Sequence, residues 1–318
     1  MPAMNIAVIG AGMAGVTCAR ALAEAGLDVT LLEKSRGLGG RLATRRVDGA
    51  AASAWRFDHG APSVAAADPA FLAHLRALPA AAQWQRPSAP GSDEWVGVPS
   101  QSRLVGELPD AVQVVTGTRI TALARDAAGM WRLEGEAGAV PGPFAAVAVA
   151  TPAPQAVELL PPGTLTGRLG TVAFDPCWAL MVATRTPWPL PWSAAAGDIA
   201  GITADHHKPQ RPAGPGLYVL HATAAWSARY LEDDAADVAA ALLDRFRASI
   251  GNGVDVVHAQ AHRWRYARVA RALGEPCLVD AALGLGYGGD GCLGDGAEAA
   301  FLSGRALAAR LAAALPRV

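Results

Sequence analysis

The chain has 318 residues, 52% of them hydrophobic, with 23 prolines and a formal net charge of −1. So apolar a chain can bury a large core, which excludes disorder, and its scattered Lys and Arg exclude a nucleic-acid surface or a polybasic membrane anchor, leaving a small molecule as the expected partner. Cys18, Cys177, Cys277 and Cys292 are widely separated and show no CxxC or zinc spacing. No disulfide scaffold and no metal site are therefore expected, and a reducing compartment fits. The apolar start Ile6 to Ala14 lacks a basic flank and runs into Arg20, Glu24, Asp28 and Glu33, and no stretch has the length and hydrophobicity of a membrane span. A cytoplasmic protein is expected.

In chain order, Asn5 to Gly10 predicts a buried strand, Met13 to Ala25 a helix ended by Gly26, and Asp28 to Glu33 a second strand. Together they make a βαβ unit whose glycine turn lies at the carboxyl edge of a parallel sheet. Asp68 and Pro69 predict the start of a helix through Leu78, because Asp accepts orphan amide protons and Pro is tolerated in the first turn. Pro87 to Ser92 reads as a loop. Val112 to Leu123, Trp131 to Glu136 and Phe144 to Ala150 read as strands of a meander, parted by turns at Asp126 to Gly129 and Gly138 to Pro143. A second antiparallel set is expected at Thr171 to Thr184, Leu217 to Thr223 and Val254 to Tyr266. Between its last two strands, Val238, Leu242, Phe246 and Ile250 recur at helical spacing, Asp233 or Asp234 can cap the helix, and Gly251 ends it. The proline-rich stretches Thr186 to Trp192 and Lys208 to Gly216 read as surface loops.

The turn Gly10-Ala11-Gly12-Met13-Ala14-Gly15 has the G-x-G-x-x-G form directly after a strand and at the opening of a helix. Gly10 permits the tight turn, Gly12 lets backbone amides approach a pyrophosphate, Gly15 lets helix and strand pack, and the helix end stabilises negative charge. Glu33 stands at the end of the second strand, where a carboxylate accepts the ribose hydroxyls of an adenosine and repels a 2′-phosphate. A nicotinamide enzyme carries the same fingerprint, so the choice between FAD and NAD rests on the residues after Glu33. Ser35-Arg36-Gly37-Leu38-Gly39-Gly40-Arg41 brings a second length of backbone to the phosphates, and Arg41 can complement their charge. Leu283-Gly284-Leu285-Gly286-Tyr287-Gly288-Gly289-Asp290 reads as a strand entering a glycine turn before a helix from about Gly296 to Leu315.

The Gly39-Gly40-Arg41 run resembles the segment found in FAD proteins of the glutathione-reductase type, in the branch of the amine oxidases, protoporphyrinogen oxidases and renalases. The resemblance sharpens to bacterial renalases in Gly10 to Arg46, Val149-Ala150-Thr151-Pro152-Ala153-Pro154-Gln155-Ala156, Leu220-His221-Ala222-Thr223-Ala224-Ala225-Trp226-Ser227, Ala261-His262-Arg263-Trp264-Arg265-Tyr266-Ala267-Arg268 and Cys292 to Gly304. It implies an α/β fold: a three-layer, Rossmann-like FAD-binding domain from residues 1–65, 97–155 and 272–318, with an inserted mixed α+β substrate domain on an antiparallel sheet from 66–96 and 156–271. It also implies noncovalent FAD held by Gly10, Gly12, Met13, Ala14, Gly15, Glu33, Lys34, Gly39, Gly40, Arg41, Ile120, Ala150, Thr151, Gly289 and Asp290. Asp58, His59, Gly60 and Ala61 would approach the reactive flavin face, and Glu298, Ala299 and Ala300 its pyrimidine edge, mainly through backbone. The family carries an aromatic residue after its Gly-Asp pair and an arginine a few positions later, where this chain has Gly291 and Gly296.

Renalases oxidise the 2- or 6-dihydro isomers of NAD(P). Hydride passes to flavin N5, O2 reoxidises the flavin to give hydrogen peroxide, and NAD(P)+ leaves. Aromatisation supplies the driving force, so a site has chiefly to stack the ring and exclude competitors. Trp226, Trp264, Tyr266, His221 and His262 are the candidate pocket walls, and no acid or base is assigned. A flavin amine oxidase remains open, but such enzymes often set a lysine near N5. The two lysines here, Lys34 and Lys208, fall beside Glu33 and in a proline-rich loop. A flavoprotein without turnover is the alternative of another class.

Overall fold

The computed structural model describes residues 5–47, 55–85, 91, 93–188, 197–211, 214–250 and 253–315. The βαβ unit is β1 (Asn5–Ile9), α1 (Met13–Glu24) and β2 (Asp28–Leu32). Gly26, at φ +82, turns the chain out of the helix, a left-handed step that glycine takes at no steric cost. A short ribbon of β3 (Arg45–Val47) and β4 (Trp55–Phe57) follows, and then α2 (Pro69–Ala77). Asp68 caps α2 by accepting from the amides of Ala70 and Phe71. Next come β5 (Ala81–Trp84), β6 (Glu94–Gly97), β7 (Val112–Val115), β8 (Ile120–Arg125), β9 (Trp131–Gly135), β10 (Gly138–Ala139) and β11 (Ala146–Val149). The chain continues through α3 (Ala153–Leu159), α4 (Thr164–Leu169), β12 (Ala173–Thr184), β13 (Ile199–Ala204), β14 (Gly216–Ala222), α5 (Ala224–Arg229), α6 (Ala235–Ile250) and β15 (Val256–Arg271). It closes with β16 (Leu278–Asp280), β17 (Leu285–Tyr287), the single turn α7 (Asp290–Leu293) and the long α8 (Ala297–Ala314).

The first sheet has the order β16-β17-β11-β1-β2-β7 and is parallel except at β16. Side chains alternate across it: Ile6, Val8, Val29 and Leu31 pack beneath α1 and α8, while Ala7, Ile9, Leu32, Val147 and Val149 face Trp131, Leu133 and Phe144 together with Ala153 and Ala156 of α3. Helices, parallel sheet and antiparallel meander thus form three layers. The second sheet, β13-β14-β12-β15, is antiparallel throughout. Trp178, Leu180 and Val182 of β12 meet Val238, Leu242 and Phe246 of α6 on one face, and Ala179, Met181 and Ala183 turn to Phe57 on the other. The fold class is α/β, a Rossmann-like parallel body joined to an antiparallel-sheet unit. Among the described residues no helix is long and apolar enough to cross a membrane.

The structure departs from the sequence expectation at three strands. Val112 to Leu123 is not one strand, because Gly117 at φ +67 breaks it; β7 joins the parallel sheet beside β2, and only β8 enters the meander. The Phe144 to Ala150 run likewise supplies β11, buried on both faces between β1 and β17, as its unbroken apolar run suits. The fourth antiparallel strand, β13, has no counterpart among the expected strands; it pairs with β14 with a register slip between Ile199 and Gly201. Asp234 caps α6 through the amide of Ala236. The expected stop at Gly251 and most of the Pro87 to Ser92 and Thr186 to Trp192 loops lie outside the described residues.

Helix α8 approaches α1 so closely that a Cβ added at Gly304 would lie 2.3 Å from the Ala14 carbonyl oxygen. Gly304→Ala is therefore expected to cost about 1–3 kcal/mol through overpacking, measured by equilibrium denaturation. A neutral result would mean that the two helices can part without penalty.

Candidate functional site

One continuous cavity of about 2290 Å³ runs between the two sheets, more than twice the roughly 1,000 Å³ that bounds ordinary single-ligand pockets. Its first end is built by the Gly10 turn. Gly10 has φ +102, and a Cβ at Gly15 would sit 1.8 Å from the Gly10 carbonyl oxygen, so no side chain fits there. The Gly39 amide donates to the Ala11 carbonyl at 2.8 Å, and a Cβ on Gly40 would come within 3.1 Å of the Gly12 Cα. Two glycine-rich backbones therefore converge at the N-terminus of α1, with Met13 and Ala14 on the cavity wall. The buried Glu33 carboxylate accepts from the amides of Ala11 and Ser35, each at 2.8 Å. One oxygen serves each amide, which leaves lone pairs for a ligand. Lys34, Ile120, Ala150 and Thr151 line the same end. Burial lowers the Lys34 pKa, Arg119 adds to this, and Glu33 opposes it. The Thr151 hydroxyl is buried with no partner among the described residues.

In the middle, Arg41 donates to Asp290 at 2.6 Å and to the Ala267 carbonyl at 3.1 Å, with its guanidinium 5.7 Å from the Phe174 ring centroid. Gly289 lines the wall beside this pair, its amide held by Ser303. At Gly291 a Cβ would already meet Val172 at 3.0 Å and Phe174 at 3.3 Å. Val172 and Phe174 thus fill the space that a side chain at position 291 would need. Gly296 takes φ +111 as the N-cap of α8, which an arginine would adopt only with strain. At this second helix end Glu298 and Ala300 line the cavity and Ala299 does not. The Glu298 carboxylate is engaged elsewhere, accepting from the amides of Ala67 and Asp68 at 2.6 and 2.7 Å.

The far end is a wall of rings. His59, Gly60, Ala61, His221, His262, Trp264 and Tyr266 all face the cavity. The ring centroids of His59, His262 and Trp264 lie 4.6 to 5.1 Å apart. The His59 carbonyl accepts from Trp264 Nε1 at 2.8 Å, and His221 Nε2 lies 3.2 Å from it. Burial lowers the His59 pKa to about 3, helped by His262 and Arg45. It lowers both His221 and His262 to about 4, so all three imidazoles are neutral at pH 7.

Two expected positions move. Trp226 is not a pocket wall: Thr223 caps α5 rather than ending a strand, and this turns Trp226 into the core beside Tyr230 and Arg245. Asp58 does not face the cavity either. Its carboxylate binds Lys208 at 2.7 Å, Arg211, and Thr44 at 2.6 Å, and Lys208 also meets Asp205 at 2.6 Å. Asp205 accepts from the Asp58 amide at 2.6 Å. The side chains of Asp58, Asp205, Lys208 and Arg211 are all withdrawn from solvent. The Lys208 segment is thus a buried charge centre and not a surface loop. Burial alone would raise the Asp58 pKa, but Lys208 and Arg211 outweigh it and hold the group below the usual range; at Asp205 burial wins and the pKa rises. Cys292 is fully buried, off the cavity wall, with its thiol pushed up to about 11 by burial.

Residues 8–78 match the model of the NAD(P)-binding Rossmann-like domain. The chain is also 46% identical over 56 residues to a carotenoid 3,4-desaturase of Haloarcula japonica, a stretch covering 18% of this chain and 10% of the desaturase. Among solved structures, a candidate protoporphyrinogen oxidase from Exiguobacterium sp. 255-15 superposes with a TM-score of 0.74 at 14% identity, over 98% of this chain and 99% of that one. Cyclohexylamine oxidase from Brevibacterium oxydans does so at 0.64, with 14% identity and the same coverage. An oxidoreductase from Methanosarcina mazei also gives 0.64 at 14% identity, over 95% of this chain and 99% of that one. At such identity these likenesses show the fold.

The buried groups make stability depend on pH and on charge. His59 has a folded pKa below its ordinary 6.5, so the unfolded chain binds the extra proton and stability falls as pH drops from about 6.5 towards 3. In urea titrations across that window, wild type minus His59→Gln should show a slope approaching about 1.4 kcal/mol per pH unit; parallel profiles would refute the depressed pKa. Lys208→Ala leaves two buried carboxylates with one cation and is expected to cost about 3–5 kcal/mol. A loss below about 1 kcal/mol, the range of exposed pairs, would refute the burial of that charge.

Proposed function

We propose that this chain is an FAD-dependent oxidoreductase that oxidises the 2- or 6-dihydro isomers of NAD(P), forming NAD(P)+ and hydrogen peroxide. The observation that carries this reading is the single cavity joining a dinucleotide cradle to a wall of neutral rings. The residues fit FAD. The Gly10 turn and the start of α1 would take the pyrophosphate, Glu33 the adenosine ribose, and the start of α8 the pyrimidine edge of the flavin. Cys292 lies off the wall, which supports noncovalent binding. On this reading residues 1–65, 97–155 and 272–318 form the FAD-binding unit, and 66–96 and 156–271 the substrate unit.

Bound FAD would supply a two-electron acceptor and pass the electrons to O2. The protein's part is then to stack the dihydronicotinamide ring against Trp264, Tyr266, His59 and His262 and to keep water out. Since aromatisation drives the step, the site needs no base to take a proton from carbon, and the depressed histidines suit that role. A flavin amine oxidase is the second reading, supported by the fold shared with cyclohexylamine oxidase. Against it stands the placement of the lysines: Lys208 is bound to two carboxylates and Lys34 lies beside Glu33, at the opposite end from the rings.

The test is an anaerobic titration of the purified yellow protein with 2-dihydro, 6-dihydro and ordinary 1,4-dihydro NAD(P), beside a panel of alkyl and aryl amines. Bleaching by a 2- or 6-dihydro isomer, with colour and peroxide returning in air, is the expected result. Bleaching by amines alone would give the second reading. Flavin that stays oxidised with every compound would point to a protein without turnover, and a colourless protein that binds no FAD would overturn the proposal.

A further inference from the structure

The ring wall has one charged neighbour that the cofactor does not require. Arg45 lies on β3 directly opposite Phe57, two residues before His59, and is one of the residues that line the cavity. Its charge is felt by both His59 and His262, which places it at the ring end and away from the α1 cradle. The other arginines on that side are occupied. Arg263 and Arg265 pair with Glu232, and Arg268 pairs with Asp295. Arg45 has no carboxylate partner among the described residues. The same ribbon sets Arg46 directly opposite Arg56, a like-charge pair that disfavours the strand pairing and adds positive charge beside Arg45. The Arg56 Nε is buried without a partner among the described residues, and Arg46 also lines the cavity.

We infer that Arg45 is a specificity-determining residue that binds a phosphate of the substrate while the substrate's ring lies against His59, His262 and Trp264. The inference rests on the dihydronicotinamide reading and deepens it: the preferred substrate is a nucleotide, and the nucleoside lacking phosphate is discriminated against at this arginine. A guanidinium suits the task because its planar fork matches phosphate oxygens in pairs. His59, with its buried Nδ1 unpartnered among the described residues, stands next to the same position and can serve the polar edge of the ring.

The experiment uses the FAD-loaded protein and compares dihydronicotinamide mononucleotide with dihydronicotinamide riboside. Arg45→Gln is expected to raise KM for the mononucleotide about 10- to 100-fold, the worth of one charge-assisted contact. KM for the riboside and kcat for both should stay within about twofold, and Arg45→Lys should restore part of the loss. An equal effect on both substrates, or none on either, overturns the inference. If no dihydronicotinamide is oxidised, the functional reading fails separately, and equilibrium dialysis of oxidised nicotinamide mononucleotide against nicotinamide riboside decides the point. Weakened binding of the phosphorylated ligand alone in Arg45→Gln then upholds the anion site; unchanged or equally weakened binding removes it. Matching circular dichroism and melting temperatures of both variants and wild type guard against misfolding.

Discussion

The shape of the cavity depends on four charges that water does not reach. Asp58 follows β4 and also holds Thr44 and the Gln101 amide, next to Leu104 and Val105 in the core of the parallel body, whereas Asp205, Lys208 and Arg211 follow β13 of the antiparallel sheet, so their pairing pins one unit to the other. Such a centre costs desolvation energy that well-packed apolar residues would avoid, so its worth lies in fixing one arrangement of the parts. The backbone amide of Asp58 enters the same network through Asp205. The next residue is His59, whose carbonyl meets both Trp264 and His221. Displacing the charges would therefore move the ring wall itself.

This constraint sets a division of labour along the cavity. At one end the free amides at the start of α1, the glycine backbone around Gly39 and Gly40, and the basic Lys34 and Arg36 all favour phosphate. At the other, three imidazoles are kept neutral by burial, and the indole and phenol rings add area without charge. Arg41 stands between them, held by Asp290 from the C-terminal turn and by the Ala267 carbonyl from β15. It thereby connects both glycine turns to the antiparallel sheet.

The parts legible in the sequence are those decided locally. The G-x-G-x-x-G turn, the Asp68 cap, and the spacing of Val238, Leu242 and Phe246 each contain their own physical reason within a few residues. The features that sequence alone does not reveal depend on distant partners. The Val112 to Leu123 run has uniform β character, and only Gly117 and the edge offered by β2 divide it between two sheets. Trp226 reads as a candidate pocket wall because it follows the expected strand Leu217 to Thr223, while Thr223, a strand former by composition, acts as a helix cap and turns it into the core. Lys208 sits among prolines and histidines that read as exposed loop, and of the two buried carboxylates that hold it, Asp205 lies three residues before it and Asp58 lies 150 residues away. Arg45 adjoins Arg46 in the chain, and nothing short of the ribbon register distinguishes the two.

The scarcity of lysine gains a physical meaning once both lysines are placed. Lys208 bridges two carboxylates at 2.6 and 2.7 Å, a task for a compact ammonium with three directions to donate, while the planar guanidinium of Arg211 approaches the same Asp58 from another side. A lysine used in this way cannot also act on substrate, since releasing it would leave Asp58 and Asp205 facing each other without its charge. The geometry that makes Lys208 structurally necessary also removes it from the chemistry. The ring end is left with neutral histidines and arginines whose protons do not come off, a set suited to holding a substrate and not to deprotonating it.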